Sequence, residues 1–392
     1  MKFVNVLFVV LLYCTHLSAQ VTLPNNLYFT HIGVEDGLCQ NTVCCILQDH
    51  LGFIWLGTKD GLTRYDGYRF RVFKHDAADP MSIGNNFIRV LYEDADGLIW
   101  IGTNVGVYIY NPETENFRKF DVATERGDVI SREVSSIKCD SSGDLWIGVN
   151  WQGVFRYDRR DESLELYEPV PGDTTSLSSV HVWDLCFDGD GNLWVGSQNG
   201  GLDRYDRETD RFVRHRLKGL SDVSRIVLDK QNQLLLGTMK DGLFSFNPYM
   251  GTCQPLLLDS GHKDLFVRAI FVRNSREVVV GTENGIYIYD CVTRKTRHVN
   301  QELGNPYSLS CKAVYSIYCD KEGALWIGTY FGGVNYLPPS SSLIFDKFYP
   351  IGHSDRLSGK AVREFVRDES GIIWIGTEDQ GLNRFDPVSG KF

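Results

Sequence analysis

The chain has 392 residues, of which 43% are hydrophobic, 12% aromatic and 23% charged, with 38 glycines; it can bury a large core and is neither disordered nor collagen-like. Its 40 Lys and Arg face 50 Asp and Glu, a formal charge of −10, which argues against nucleic acid or an anionic membrane surface as the main partner. Length alone does not force several domains, because all-β folds reach this size as one unit.

Residues 1–19 read as a signal peptide: Lys2, an apolar stretch from Phe3 to Tyr13, and Leu17-Ser18-Ala19 before Gln20. The predicted location is periplasmic; an uncleaved anchor competes, but the apolar run falls short of the ~20 residues a span needs. Ten cysteines suggest a disulfide framework until their positions are read. Cys14 leaves with the leader, and others sit inside apolar strand patterns such as Val43-Cys44-Cys45-Ile46 and Leu185-Cys186-Phe187. Mostly free, buried thiols are expected. No Cys or His spacing suggests zinc, so neither a metal nor a cofactor is predicted.

From Asp49 onward one block recurs eight times. Its first copy runs Asp49-His50-Leu51-Gly52-Phe53-Ile54-Trp55-Leu56-Gly57-Thr58, followed by Gly61-Leu62-Thr63-Arg64-Tyr65-Asp66. The glycine of the Trp-containing run falls at 57, 102, 148, 196, 237, 281, 328 and 376, at intervals of 41 to 48 residues; copies five and six have lost the Trp. Each period holds four runs of strand length with turn residues between them. Four antiparallel strands per ~45 residues is one blade of a β-propeller, so the fold class is all-β. The Asp-x-x-Gly segment is predicted to turn tightly between the first two strands, the Trp to pack blade on blade, and the glycine after it to admit a close neighbour.

Two closures fit. A seven-bladed ring over 20–337 would take residues 27–30 as the outer strand of blade seven, leaving 338–392 as a Pro/Ser linker and the first blade of a second propeller. An eight-bladed ring over 20–392 would use the same N-terminal strand in the last blade.

Strand directions put the second-to-third loops and the long inter-blade connections, such as residues 74–86 and 300–312, on one face, where binding residues gather on a rigid scaffold. Directly after the apolar residue heading each first strand stand Cys44, Arg89, Ser135, Trp183, Ser224, Arg268, Tyr315 and Arg363, predicted to point toward the channel mouth. Trp151, Tyr330 and Phe331 lie in neighbouring loops. From these the candidate ligand-binding set is Arg89, Trp151, Trp183, Arg268, Tyr315, Tyr330, Phe331 and Arg363, a mixture of rings and hydrogen-bonding groups suited to an oligosaccharide. The competing reading is that the aromatics plug the channel. The charge of the mature chain, −11, favours a neutral glycan, a preference that several arginines at one mouth would reverse.

Enzyme motifs are sparse: there is no Gly-x-Ser-x-Gly, no phosphate-cradling loop and no His-Glu-x-x-His. Asp184 and Glu364 are the candidate carboxylates for a glycosidase, and His181 is a candidate base.

The repeat Asp-x-x-Gly-x-Ile-Trp-Ile-Gly-Thr with Gly-Leu-x-Arg-Tyr-Asp, and the opening Phe29-Thr30-His31-Ile32 with Asp36-Gly37-Leu38, resemble the two-component regulator propeller of bacterial hybrid two-component sensors. That resemblance implies a periplasmic sensor of glycan breakdown products that signals through a membrane-anchored histidine kinase, with the rest of the sensor and a second copy as partners. No kinase motif occurs in this chain, so it is not itself expected to be an enzyme. A secreted glycosidase or lyase, or an envelope scaffold, are the alternatives.

Overall fold

The computed structural model describes residues 22–217, 220, 222–257, 265–339, 348, 350 and 356–392; the signal peptide and most of the Pro/Ser segment lie outside them. Seven four-stranded antiparallel sheets and one three-stranded sheet make up the described residues. Blade one holds Val43–Gln48, Ile54–Thr58, Gly61–Tyr65 and Phe70–Phe73. The first strand of each blade packs on the first strand of the next, and that of blade seven, Val314–Cys319, returns to Val43–Gln48. Among the described residues these contacts run through seven sheets and back to the first.

The repeated residues explain the blades. In blade one, Asp49 accepts the Phe53 backbone N–H at 2.8 Å through Oδ1, closing the turn, and the Trp55 indole N–H at 2.8 Å through Oδ2. The same pair recurs at Asp94–Trp100, Asp140–Trp146, Asp188–Trp194, Asp320–Trp326 and Asp368–Trp374, at 2.8 to 3.1 Å. A charge-assisted bond of this kind satisfies a buried indole while its ring packs on the following blade; Trp55 shares a core cluster with Ile99 and Tyr110 of blade two. The glycine two residues on is a seat. A Cβ at Gly102 would stand 2.6 Å from Val134 Cγ1, the head of the next blade, and one at Gly281 equally close to Val314. At Gly328 the visitor is Val43, 2.9 Å from the added atom at its Cβ, so blade one sits on blade seven as any blade sits on its predecessor.

Blade six has lost both Asp and Trp, and here the N-terminal segment docks. Glu277 accepts the Leu23 N–H at 2.9 Å, and Arg297 donates to the carbonyls of Pro24 and Asn25 at 2.6 Å each. The segment then closes the ring: Thr30–Ile32 pairs antiparallel with Val334–Tyr336 as the outer strand of blade seven. That strand starts three residues later than the expected 27–30, because Leu27 and Phe29 are used as core, packed with Ile286, Leu309 and Leu337.

The eighth sheet, Val362–Arg367, Ile373–Thr377 and Gly381–Phe385, has three strands and no seated neighbour among the described residues. Among the described residues, a Cβ at Gly376 would meet only the Glu364 carbonyl of its own sheet, at 3.7 Å.

All nine described cysteines are unpaired, most of them half-buried and Cys186 fully buried.

Candidate functional site

Six of the seven ring blades deliver one side chain to the axis by the same device. After its head residue the first strand carries one residue too many for its partner, a bulge found in every ring blade except the fifth. A bulge re-aims the extra side chain. The six residues so turned, Cys44, Arg89, Ser135, Trp183, Arg268 and Tyr315, line one cavity of about 270 Å³ at the loop-side mouth of the channel.

Blade five departs from this, and the expectation for Ser224 is corrected. Ser224 turns under, 2% exposed, and its hydroxyl donates to the Val267 carbonyl of blade six at 2.9 Å. Arg225 takes the place in the cavity instead. Its Nε donates to the Arg268 carbonyl at 2.7 Å and its Nη1 to the Ser224 carbonyl at 3.0 Å. A serine finds an acceptor on the adjoining blade, whereas a guanidinium is cheaper to keep in an open channel.

Rings and cations alternate around the mouth. Arg268 lies over Phe266 at 3.9 Å and over Tyr315 at 4.5 Å; Tyr315 stacks on Tyr330 at 5.1 Å; Lys59 sits over Tyr330 at 4.2 Å; and Arg89 lies over Phe87 at 5.0 Å. Trp183 packs at 5.9 Å from Phe266, and its indole N–H is buried without a hydrogen-bond partner. Arg89 pairs with Glu133, and Arg268 with Glu283 at 2.6 Å. Burial pushes the Cys44 thiol up to about 11, against the pull of Arg89, Lys59, Arg268 and Arg225. It is therefore a protonated wall group and not a nucleophile.

Of the remaining predicted residues, Phe331 sits edge-on to Tyr330 at 4.2 Å and is 72% exposed at the rim. Trp151, also exposed, packs against His181 at 4.0 Å, beside Asn150 of the cavity wall. His181 faces the Asn150 side-chain oxygen at 3.3 Å. Arg363 is not at this mouth: it belongs to the eighth sheet, where it pairs with Glu378 at 2.6 Å. Val43 already fills the seat of Gly328, so the eighth repeat has no place on this axis. The carboxylate pair also separates. Asp184 accepts the Ser136 hydroxyl at 2.9 Å and the Ile226 N–H at 3.0 Å, tying three blades together, while Glu364 lies in the eighth sheet. Opposed carboxylates across one sugar are not what these two form.

Sequence reading missed Arg225, Lys59, Phe87, Glu133, Phe266 and Glu283. Five of them had a positional signal. Phe87, Glu133 and Phe266 immediately precede the strand heads, and Lys59 and Glu283, like Tyr330, immediately follow the Gly-Thr pair. These two positions face the axis residues across the mouth.

Fold and site together define a closed β-propeller with a ring of cations and aromatics at its channel mouth. Comparison with known proteins finds the two component regulator propeller in four of the eight repeats, at residues 37–60, 82–105, 176–199 and 308–331. Over 94% of its length the chain is similar to the extracellular domain of the putative hybrid two component system BT3049 from B. thetaiotaomicron, at 27% identity and a TM-score of 0.79, covering 49% of that protein. The extracellular domain of BT4673 from the same organism shares the fold, with a TM-score of 0.69, 22% identity, and 92% and 46% of the two chains covered. A 59-residue stretch, 15% of this chain, is 39% identical to histidine kinase P4 of Formosa agariphila and spans 4% of it. The chain thus spans about half the length of the solved domains and a small part of the kinase. No helix among the described residues is long and apolar enough to cross a membrane.

Proposed function

We propose that this chain is the ligand-sensing, extracytoplasmic part of a hybrid two-component sensor, and that its channel mouth binds oligosaccharides from glycan breakdown. The observation that carries the reading is the mouth: six axis side chains on six different blades converge on one cavity rimmed by Tyr315, Tyr330 and Phe331. Rings stack on the C–H faces of sugars while Asn150 and the arginines meet hydroxyls. The likeness to an extracellular domain of a hybrid two component system supports the location and the sensing role. In this reading the leader at 1–19 exports the chain, the eighth sheet opens a second propeller, and a membrane-anchored kinase outside this sequence receives the signal.

The test is calorimetric titration of the chain with a panel of oligosaccharides, combined with chromatography of the same mixtures. Binding without new products is expected, weakened at least about tenfold by Trp183→Ala or Tyr330→Ala. Released product would make the protein a secreted glycosidase or lyase, and neither binding nor product would leave an envelope scaffold.

A further inference from the structure

We infer that the sugar accepted at the mouth is acidic, carrying a carboxylate or a sulfate, and that Arg225 is the guanidinium that receives it. The inference rests on the mouth being the binding site. The chain as a whole carries −10, yet charge at this place runs the other way. Around the cavity Arg89, Arg225, Arg268 and Lys59 stand against Glu133 and Glu283. One step deeper, Lys138 and Asp184 offset each other. Among these described groups two positive charges remain unmatched.

One of them has a definite address. Arg89 and Arg268 each have a carboxylate, but Arg225 is held by two backbone carbonyls, which fix its planar fork without neutralising it. Its Nη2 makes no hydrogen bond to a described residue, and Arg225 lines the cavity. A guanidinium pre-set in this way presents N–H groups in the geometry that carboxylate and sulfate oxygens accept. Trp183 adds a buried indole N–H with no acceptor of its own. Neighbours thus short of acceptors, in a half-buried cavity where attraction is less screened than in bulk water, favour an anion over a neutral hydroxyl. At 270 Å³ the cavity is at the small end of ligand sites, which run from about 300 Å³ upward. It suits one acidic ring, with the rest of the chain lying on Tyr330 and Phe331.

The experiment titrates the chain with two matched pairs: an oligouronate against its carboxyl-reduced form, and a sulfated oligosaccharide against its desulfated form, each at low and high salt. The acidic member of one pair is expected to bind at least about tenfold more tightly than its neutral counterpart, with the preference shrinking as salt rises. Which pair responds identifies the acidic group. Arg225→Gln should lose about tenfold for the acidic member only, and Arg225→Lys should recover part of it; thermal midpoints confirm folding. If the variants do not fold, the salt dependence of the unaltered chain decides. Neutral members binding as well as acidic ones would overturn the charge assignment while leaving the oligosaccharide reading intact. No binding by any of the four would overturn both.

Discussion

The pentapeptide Ile-Trp-Ile-Gly-Thr occurs in blade two as Ile99–Thr103 and again in the eighth sheet as Ile373–Thr377. Both copies form the second strand of an antiparallel sheet, and both indoles donate to the aspartate six residues before at 2.8 Å. Their surroundings differ. All five residues of the ring copy are buried and Val134 occupies the seat at Gly102, whereas four of the five in the eighth sheet are only half-buried, and the first strand beside them, Val362–Arg367, is exposed throughout. Turn and hydrogen bond belong to the repeat itself. Burial is conferred by the next blade, as in other repeat architectures where neighbours supply the core. The same holds for chemistry: Arg363–Glu378 repeats the Arg268–Glu283 pair at the same spacing in sequence, but its arginine side chain is 68% exposed against 26% in the ring, where Arg268 lines the cavity.

The contrast can be broken at the tryptophans first. Trp100→Ala should destabilise the ring by about 3–5 kcal/mol, the usual result of emptying an aromatic site. Trp374→Ala should cost less than half as much and leave the ring's unfolding midpoint in urea unchanged. Equal losses would mean that the eighth sheet is covered in solution. Next come the seats. Gly102→Ala places a methyl 2.5 Å from Val90 Cγ1 and 2.6 Å from Val134 Cγ1, both on stiff β-branched side chains, and should cost about 1–3 kcal/mol through overpacking. Gly376→Ala meets nothing closer than 3.7 Å and should stay within about 0.5 kcal/mol of the unaltered protein. Urea titrations of the two variants measure the difference directly, and a costly Gly376→Ala would place an unrecognised neighbour on that seat.

Much of the fold is legible because the repeat writes its own turns: Asp, Gly and Trp at fixed spacing dictate both the hairpin and the face that packs. Closure is less legible. Strand heads are Val or Ile in every repeat, so no local pattern says which of them sits on Gly328. The N-terminal strand is hard to place for a related reason, since the apolar residues that look like a strand, Leu27 and Phe29, are used as core while Thr30–Ile32 does the pairing. At the mouth, Arg89, Trp183, Arg268 and Tyr315 could be read from their place after the head residue, because each bulge repeats the same turn of the backbone. Arg225 could not, as blade five alone lacks the bulge and exchanges two neighbours. Glu133 looks like an ordinary loop acid until the ring brings it against Arg89 of the preceding blade, and Glu283 until its hairpin folds it back on Arg268 of its own blade.

A smaller effect sharpens the comparison at one position of the third strand. Blade seven has Asn335 there, which accepts the Ser310 N–H at 2.8 Å and donates to the Ser310 hydroxyl at 2.9 Å. The eighth sheet has Asn383, accepting the Ser358 N–H at 2.8 Å. Blade four instead has Asp203, fully buried, accepting the Ser178 N–H at 2.8 Å and hydroxyl at 2.6 Å through Oδ2, with Oδ1 left unpartnered. Burial pushes this carboxyl up to about 6 from 3.8, against the bonds from Ser178. The folded state therefore holds a proton that the unfolded chain has released, and stability must fall as pH rises between about 4 and 6, reaching its full penalty above that window. The two-unit rise caps the penalty at about 3 kcal/mol. Asp203→Asn can adopt the two bonds of Asn335, with the serine hydroxyl reversing its role from donor to acceptor. It is expected to stabilise the protein by about 1–2 kcal/mol at pH 7.5, to be neutral near pH 4, and to flatten this part of the stability curve in urea titrations across that range. A destabilised variant at pH 7.5 would mean that the second carboxylate oxygen has a partner in solution, and blade four would then carry a bound group that the asparagine blades do not.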